Sequence, residues 1–224
     1  HRPRWRVEDP ADLELWVLEY QRARFVAGLR LSDKRMRQHG SGRVTERRGA
    51  LRPVVAAAMV HLAGDTPGRV LDPCCGSGTV LKEALSAGWE AVGSDLDPEA
   101  VATVGENVPR ALVERADVHD LPHEDGRFDA VVSNLPFGRQ FQVEDPARWL
   151  RRALAEMARV TRPGGRVVIL VPPPVPRGVS GLAPAGTYPL RLLGVSTRVW
   201  VFERGPTYDA PNPRHDQDTA ATHS

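Results

Sequence analysis

Apolar residues run along this chain in short bursts separated by glycine, proline and charge, and the period of each burst predicts its conformation. LELWVLEY (13–20) and RFVAGLRL (24–31) read as two strands joined by a short polar turn, followed by an Arg-rich stretch, 32–50, without clear periodicity. GALRPVVAAAMVHLAG then places a proline near a helix start, an Ala and Val run, and Gly64 as a stop, which predicts a helix near 52–63. Beyond it the pattern alternates. Strands are expected at 68–72, 90–95, 111–116, 128–133 and 165–171, with helices at 79–87, 98–107 and 146–160. Short apolar strands separated by helices imply a mostly parallel sheet covered on both faces, an α/β fold. After Pro172, PPPVPRGVSGLAP holds too much Pro and Gly for a helix, while YPLRLLGV and TRVWVFER resemble a closing antiparallel hairpin. The final GPTYDAPNPRHDQDTAATHS has no apolar period and is expected to be a disordered tail. Three segments follow: 1–50, a hairpin and basic connector; 51–204, the main domain; and 205–224, the tail.

Length changes this picture little, since 224 residues suit one main domain with a short appendage. No apolar run approaches the roughly 20 residues of a membrane span, and HRPRWRVEDP lacks the apolar core of a signal peptide. Because it begins at His1, the chain is expected to be trimmed or a fragment. The two cysteines, Cys74 and Cys75, are adjacent, which excludes a CxxC metal knuckle and disfavours a disulfide framework. No metal site is predicted, and a reducing cytoplasm fits best. Charge is divided unevenly. Residues 1–52 hold 13 Arg or Lys against 7 Asp or Glu, whereas the remaining 172 residues carry 17 against 21. A basic front on a mildly acidic domain suits phosphate attraction, although a solvated basic face needs no partner.

In an open α/β sheet the ligand crevice lies beyond the carboxyl ends of the strands, so the loops there carry the chemistry. The first, DPCCGSGT (72–79), leaves a strand and enters a helix. Gly76 and Gly78 lack Cβ atoms that would keep a ligand from the backbone, free amides at the helix start can meet a carboxylate, and Pro73, Cys74, Ser77 and Thr79 complete the loop as candidate cofactor contacts. Asp72 offers acceptors for an ammonium. Together these groups match the methionyl end of S-adenosyl-L-methionine. A dinucleotide loop is the rival, but GSGTVL lacks the third glycine of GxGxxG; a plain turn is the other. Asp95 ends the second strand some 17 residues after Gly78, near the spacing at which an acid reaches ribose hydroxyls. Asp97, before Pro98, reads better as a helix N-cap. Leu96 is placed to cover an adenine face, Asp117 to accept from its amino group and the Val118 amide to donate to its ring, with a surface loop acid as the plain alternative for Asp117.

The loop SNLPFG (133–138) hints at the acceptor. An exocyclic amino group conjugated to a base is a poor nucleophile, because its lone pair is delocalised. The Asn134 side-chain oxygen and a backbone carbonyl at Leu135 or Pro136 can accept both its hydrogens and aim that lone pair at the methyl group. Pro136 stiffens the loop, and Phe137 can stack on a base splayed from its strand. The plain alternative is a strand-ending turn with a packed Phe.

Together DPCCGSGT and NLPFG resemble the Asn/Asp-Pro-Pro-aromatic amino-methyltransferases, with Leu135 in place of the first proline. That variant looks like the one in RNA guanosine 2-amino methyltransferases, the family that couples a THUMP RNA-binding domain to this fold. RLSDKRMRQHGSGRVTERRGALRPVVAAAMVHLAG is similar to that family's connector, so the likeness covers about residues 13–171. It implies a class I, Rossmann-like, mostly parallel seven-stranded sheet with helices on both faces, a C-terminal antiparallel hairpin and a short β-hairpin in front. It also implies methyl transfer from S-adenosyl-L-methionine to a guanosine 2-amino group in RNA, with tRNA as the expected RNA. By carry-over Asp72, Gly76, Asp95 and Asp117 would hold cofactor, and Asn134, Pro136 and Phe137 the base. Arg35, Arg37, Arg43, Arg47, Arg48 and Arg139 would meet phosphates, although for any single arginine a solvated surface position is the stronger reading. Residues 1–31 are too few for a complete THUMP domain, so that domain is expected to be cut off, replaced or supplied by a partner, which leaves tRNA targeting open. DNA adenine or protein glutamine methylation, a non-catalytic RNA-binding module and a nicotinamide oxidoreductase are the competing functions.

Overall fold

The computed structural model describes residues 14–21, 23–30, 50–137, 143–192 and 195–206. They belong to two compact units, one within His1–Arg43 and one within Val44–Ser224. The first contains an antiparallel hairpin of β1 (Glu14–Gln21) and β2 (Arg24–Arg30), in which Trp16 faces Gly28 and Val17 faces Ala27. Its turn is tight enough to hold Ala23 at φ 60°, where the Ala23 amide donates to Glu19 Oε1 at 2.8 Å.

The second unit is built on a seven-stranded sheet in the order β5-β4-β3-β6-β7-β9-β8. Its strands are β3 (Arg69–Asp72), β4 (Glu90–Asp95), β5 (Leu112–Arg115), β6 (Phe128–Asn134), β7 (Thr161–Val171), β8 (Leu182–Leu192) and β9 (Val195–Arg204). The first five are mutually parallel, and β9 runs antiparallel to both β7 and β8. This is the expected sheet and closing hairpin.

Among the described residues four helices cover it: α1 (Pro53–Leu62), α2 (Thr79–Ser86), α3 (Pro98–Asn107) and α4 (Pro146–Val160). Proline opens α1, α3 and α4, where its missing N–H costs nothing. Asp97 caps α3 by accepting from the Glu99 amide at 2.9 Å, and Asp145 caps α4 by accepting from Arg148 N at 3.0 Å. On one face of the sheet Met59, Val60, Leu81, Ala84 and Val104 of α1, α2 and α3 bury against Val70, Ala130 and Val168. On the other, Leu150, Leu154 and Met157 of α4 bury against Leu71, Val131 and Ile169.

Two strands start earlier than their periodicity predicts. β7 begins at Thr161 rather than 165, because the backbone passes through Gly164 at φ 74° and Gly165 as an irregularity in its pairing with β6. β8 begins at Leu182, inside the proline-rich stretch, since at the sheet edge Pro184 and Pro189 remove no essential ladder donor. The connections 116–127 and 172–181 contain no helix, and no described helix is long and apolar enough to cross a membrane. The expected tail from 207 onward, and the arginines at 35, 37, 43, 47, 48 and 139, lie outside the described residues.

Candidate active site

The carboxyl ends of β3, β4, β5 and β6 lie side by side, which brings the four loops read from the sequence to one edge of the sheet. Asp72, the last residue of β3, is 2% exposed. Its Oδ1 accepts from the Cys74 amide at 3.2 Å and from Ser133 Oγ at 2.7 Å. Burial pushes its pKa up to about 7 against the pull of those two hydrogen bonds, and Asp95 adds a smaller upward push. The Ser133 bond spans 61 positions and ties the cofactor loop to the residue just before Asn134.

Asp95 at the end of β4 holds the same loop from the other side. Its Oδ2 accepts from Gly76 N at 2.9 Å and its Oδ1 from Asp97 N at 3.0 Å. Cys75 N donates to Ser94 O at 3.0 Å, and Asn107 Nδ2 donates to Ser77 O at 3.0 Å. The two glycines serve different ends. Both have left-handed backbones, Gly76 at φ 53° and Gly78 at φ 83°. A Cβ on Gly76 would meet nothing within 4 Å, whereas one on Gly78 would lie 2.8 Å from Val108 Cγ2 and 3.3 Å from Val104. Ligand approach, expected of both, therefore suits Gly76, and Gly78 lets the start of α2 pack on α3.

These residues fit S-adenosyl-L-methionine. A buried carboxylate faces the loop, the space over Gly76 is open, and the buried Ser77 Oγ has no hydrogen-bond partner among the described residues. Leu96 is 59% exposed, an apolar surface where a base would lie. Asp117 Oδ1 accepts from the His119 amide at 2.9 Å and sits 3.2 Å from His119 Nδ1, while His119 Nε2 lies 3.1 Å from Trp149 O. The neighbouring Val118 is buried. Burial first, and then the charges of Asp72 and Asp95, raise the Cys74 thiol well above its usual pKa, so it stays neutral and is no nucleophile. Cys75 and Thr79 are buried, and no described group of His, Cys, Asp and Glu could hold a metal.

At the fourth loop Asn134 ends β6 opposite Leu170. Leu135 is 1% exposed, packed in the core, and its amide donates to Leu170 O at 3.3 Å, so it serves the site only through its backbone. Pro136 and Phe137 are half-buried, with Phe137 against the same cluster as Cys74 and Trp149.

Sequence reasoning missed the groups that hold this edge together. Ser133, a hydroxyl ending an otherwise apolar buried strand, was the legible signal. Glu156 and Arg159 gave none. Arg159 donates to Glu156, to Asp125 Oδ1 and to the carbonyls of Leu121 and His123, while Glu156 accepts from the Leu121 amide. The Asp117 loop is thereby fastened to α4.

A family model described as RMKL-like, methyltransferase domain, matches residues 41–173. The chain is 33% identical over 157 residues to U6 snRNA (guanine-N(2))-methyltransferase THUMPD2 of Bos taurus, covering 66% of this chain and 30% of the relative. It is 35% identical over 176 residues to tRNA (guanine(6)-N2)-methyltransferase of Thermus thermophilus, covering 70% and 51%. Among solved structures, TrmN from Thermus thermophilus superposes with a TM-score of 0.58 at 30% identity, covering 72% of this chain and 55% of that one. The chain thus spans between about a third and about half the length of these relatives. With more than half its length matched by that model, the chain belongs to the RMKL-like methyltransferase domain family.

Proposed function

We propose that this chain is an enzyme that moves a methyl group from S-adenosyl-L-methionine to the exocyclic 2-amino group of a guanosine in RNA, with tRNA as the substrate. Residues 51–204 are read as the catalytic domain and the basic segment 1–50 as an RNA-facing connector, in a cytoplasmic protein. The carrying observation is the 2.7 Å bond from Ser133 to Asp72, which joins the cofactor loop to the strand that presents Asn134. The relatives named above support the choice of guanosine, since both methylate a guanine 2-amino group.

Asp72 would hold the cofactor's ammonium, the amides of 76–79 its carboxylate, Asp95 its ribose, and Leu96, Asp117 and Val118 its adenine. Bound there, the cofactor supplies an electrophilic methyl group on a sulfonium. Asn134 accepts one hydrogen of the target amino group and the Leu135 or Pro136 carbonyl the other, which localises the nitrogen lone pair. Phe137 supports the base from the apolar side. No strong base is needed, because the proton can leave to solvent once the nitrogen carries the methyl group.

The test is nucleoside mass spectrometry of RNA incubated with purified protein and methyl-labelled cofactor. N2-methylguanosine is the expected product. Label on DNA adenine or protein glutamine, with RNA unlabelled, would overturn the acceptor. An Asn134→Ala protein that methylates as well as the parent would remove Asn134 from the chemistry.

A further inference from the structure

Among the described residues no helix covers the face that carries α4 where it continues across β9 and β8; the connection 172–181 is a loop that lays Val175 and Val179 on the cluster holding Phe202 and Trp200. Register sets what the rest of this face displays. Ile169 and Val171 of β7 belong to the cluster beneath α4, and their partners on β9 are Trp200 and Arg198. Opposite those on β8 stand Thr187 and Pro189, with Arg191 opposite Ser196. Trp200 is anchored by its Nε1–H to Val171 O at 3.2 Å, and the Arg198 guanidinium lies 5.9 Å from its ring centroid. Arg191 is exposed.

Charge singles out this surface. From Pro172 to Phe202 the chain has no Asp or Glu, yet carries Arg177, Arg191 and Arg198, within a region whose remainder is net acidic. No ion pair joins Arg191 or Arg198 to a described carboxylate. Position matters as much. Arg198 pairs with Val171, one residue beyond Leu170, which in turn pairs with Asn134. Two strand spacings, about 10 Å, therefore separate Arg198 from the reactive loop at the same end of the sheet.

We infer that Arg191 and Arg198, the latter propped on Trp200, form a phosphate-binding strip that holds the RNA backbone flanking the target nucleotide. This rests on the reading of the substrate as RNA. A sheet face that carries cations and, among the described residues of β8 and β9, no carboxylate suits a polyanion, and guanidinium groups grip phosphate oxygens in pairs.

The test compares the full chain with its R191A/R198A and R191K/R198K variants, using unfractionated tRNA and labelled cofactor. The alanine pair should raise KM for tRNA about tenfold with kcat little changed, and should flatten the slope of log affinity against log salt by about 1.5, as expected for two lost phosphate contacts. Cofactor affinity by calorimetry and melting temperature should match the parent, and the lysine pair should recover most of the affinity. If the parent methylates tRNA and the alanine pair does so with the same KM and salt slope, the strip is refuted and the RNA reading stands. If the parent neither binds nor labels tRNA, the RNA reading falls and the strip with it.

Discussion

Asp72 is a carboxyl taken out of water beside a cofactor loop, and its folded pKa of about 7 lies above the ordinary value. A carboxylate whose pKa rises on folding binds its proton more tightly in the native state. The cofactor-free protein should therefore lose stability as pH rises from about 4 to 7, by on the order of 4 kcal/mol for a shift of this size. Asp72→Asn removes the buried charge and keeps an acceptor for Cys74 N. Its melting temperature should exceed the parent's at pH 8 and approach it near pH 4. If Asp72 holds the cofactor's ammonium as proposed, the same change should weaken cofactor binding. Calorimetry should show the parent binding more weakly as pH falls from 7 to 5, taking up fewer protons when bound than when free, with the dependence much reduced in Asp72→Asn. The glycines give a second contrast. Gly78→Ala adds a methyl group against Val108 and should cost about 1–3 kcal/mol in a denaturant titration. Gly76→Ala meets no neighbour and should cost only the roughly 1–2 kcal/mol of its left-handed backbone, while lowering cofactor affinity if the ligand approaches there. Asn134→Ala should lower kcat by about 100-fold or more while leaving cofactor affinity intact.

Among elements, the connection between β5 and β6 depends most on distant partners. Without a helix of its own, residues 116–127 are held by Arg159 and Glu156 of α4 and by His119 against Trp149. Removing the Arg159 side chain leaves the Leu121 and His123 carbonyls and the Glu156 carboxylate without their cation. Arg159→Ala should cost about 2–3 kcal/mol, and hydrogen exchange should rise across 117–126 before it rises in the sheet. Arg204, 5% exposed, works similarly at the same end of α4, where its Nε donates to Ala158 O at 2.7 Å. Neither contact has a sequence signature. The spacing between Arg159 and Asp125 or between Arg204 and Ala158 follows from how α4 lies on the sheet, whereas the caps Asp97 and Asp145 act within their own turns and can be read locally.

At the scale of the molecule, the unit Val44–Ser224 has its own two-faced core, so a chain beginning at residue 44 should unfold cooperatively and keep its cofactor affinity. If the basic front serves RNA, that shortened chain should bind tRNA more weakly and with a shallower salt dependence, measurable by filter binding. The alternation of strands and helices, the glycine-bearing strand-to-helix loop after β3 and the Asn-Leu-Pro-Phe turn after β6 were readable in the chain alone, because each is a local pattern of period, glycine and proline. Asp95 and Leu96 were readable as candidates for the same reason. Tertiary packing decided the rest. It separated Gly76 from Gly78 by what lies over each, drew Ser133 to Asp72 across 61 residues, and set Arg198 two strands from Asn134 at the same end of the sheet. These outcomes depend on which strand lies beside which and on what fills the space above a backbone, neither of which is encoded within any one segment.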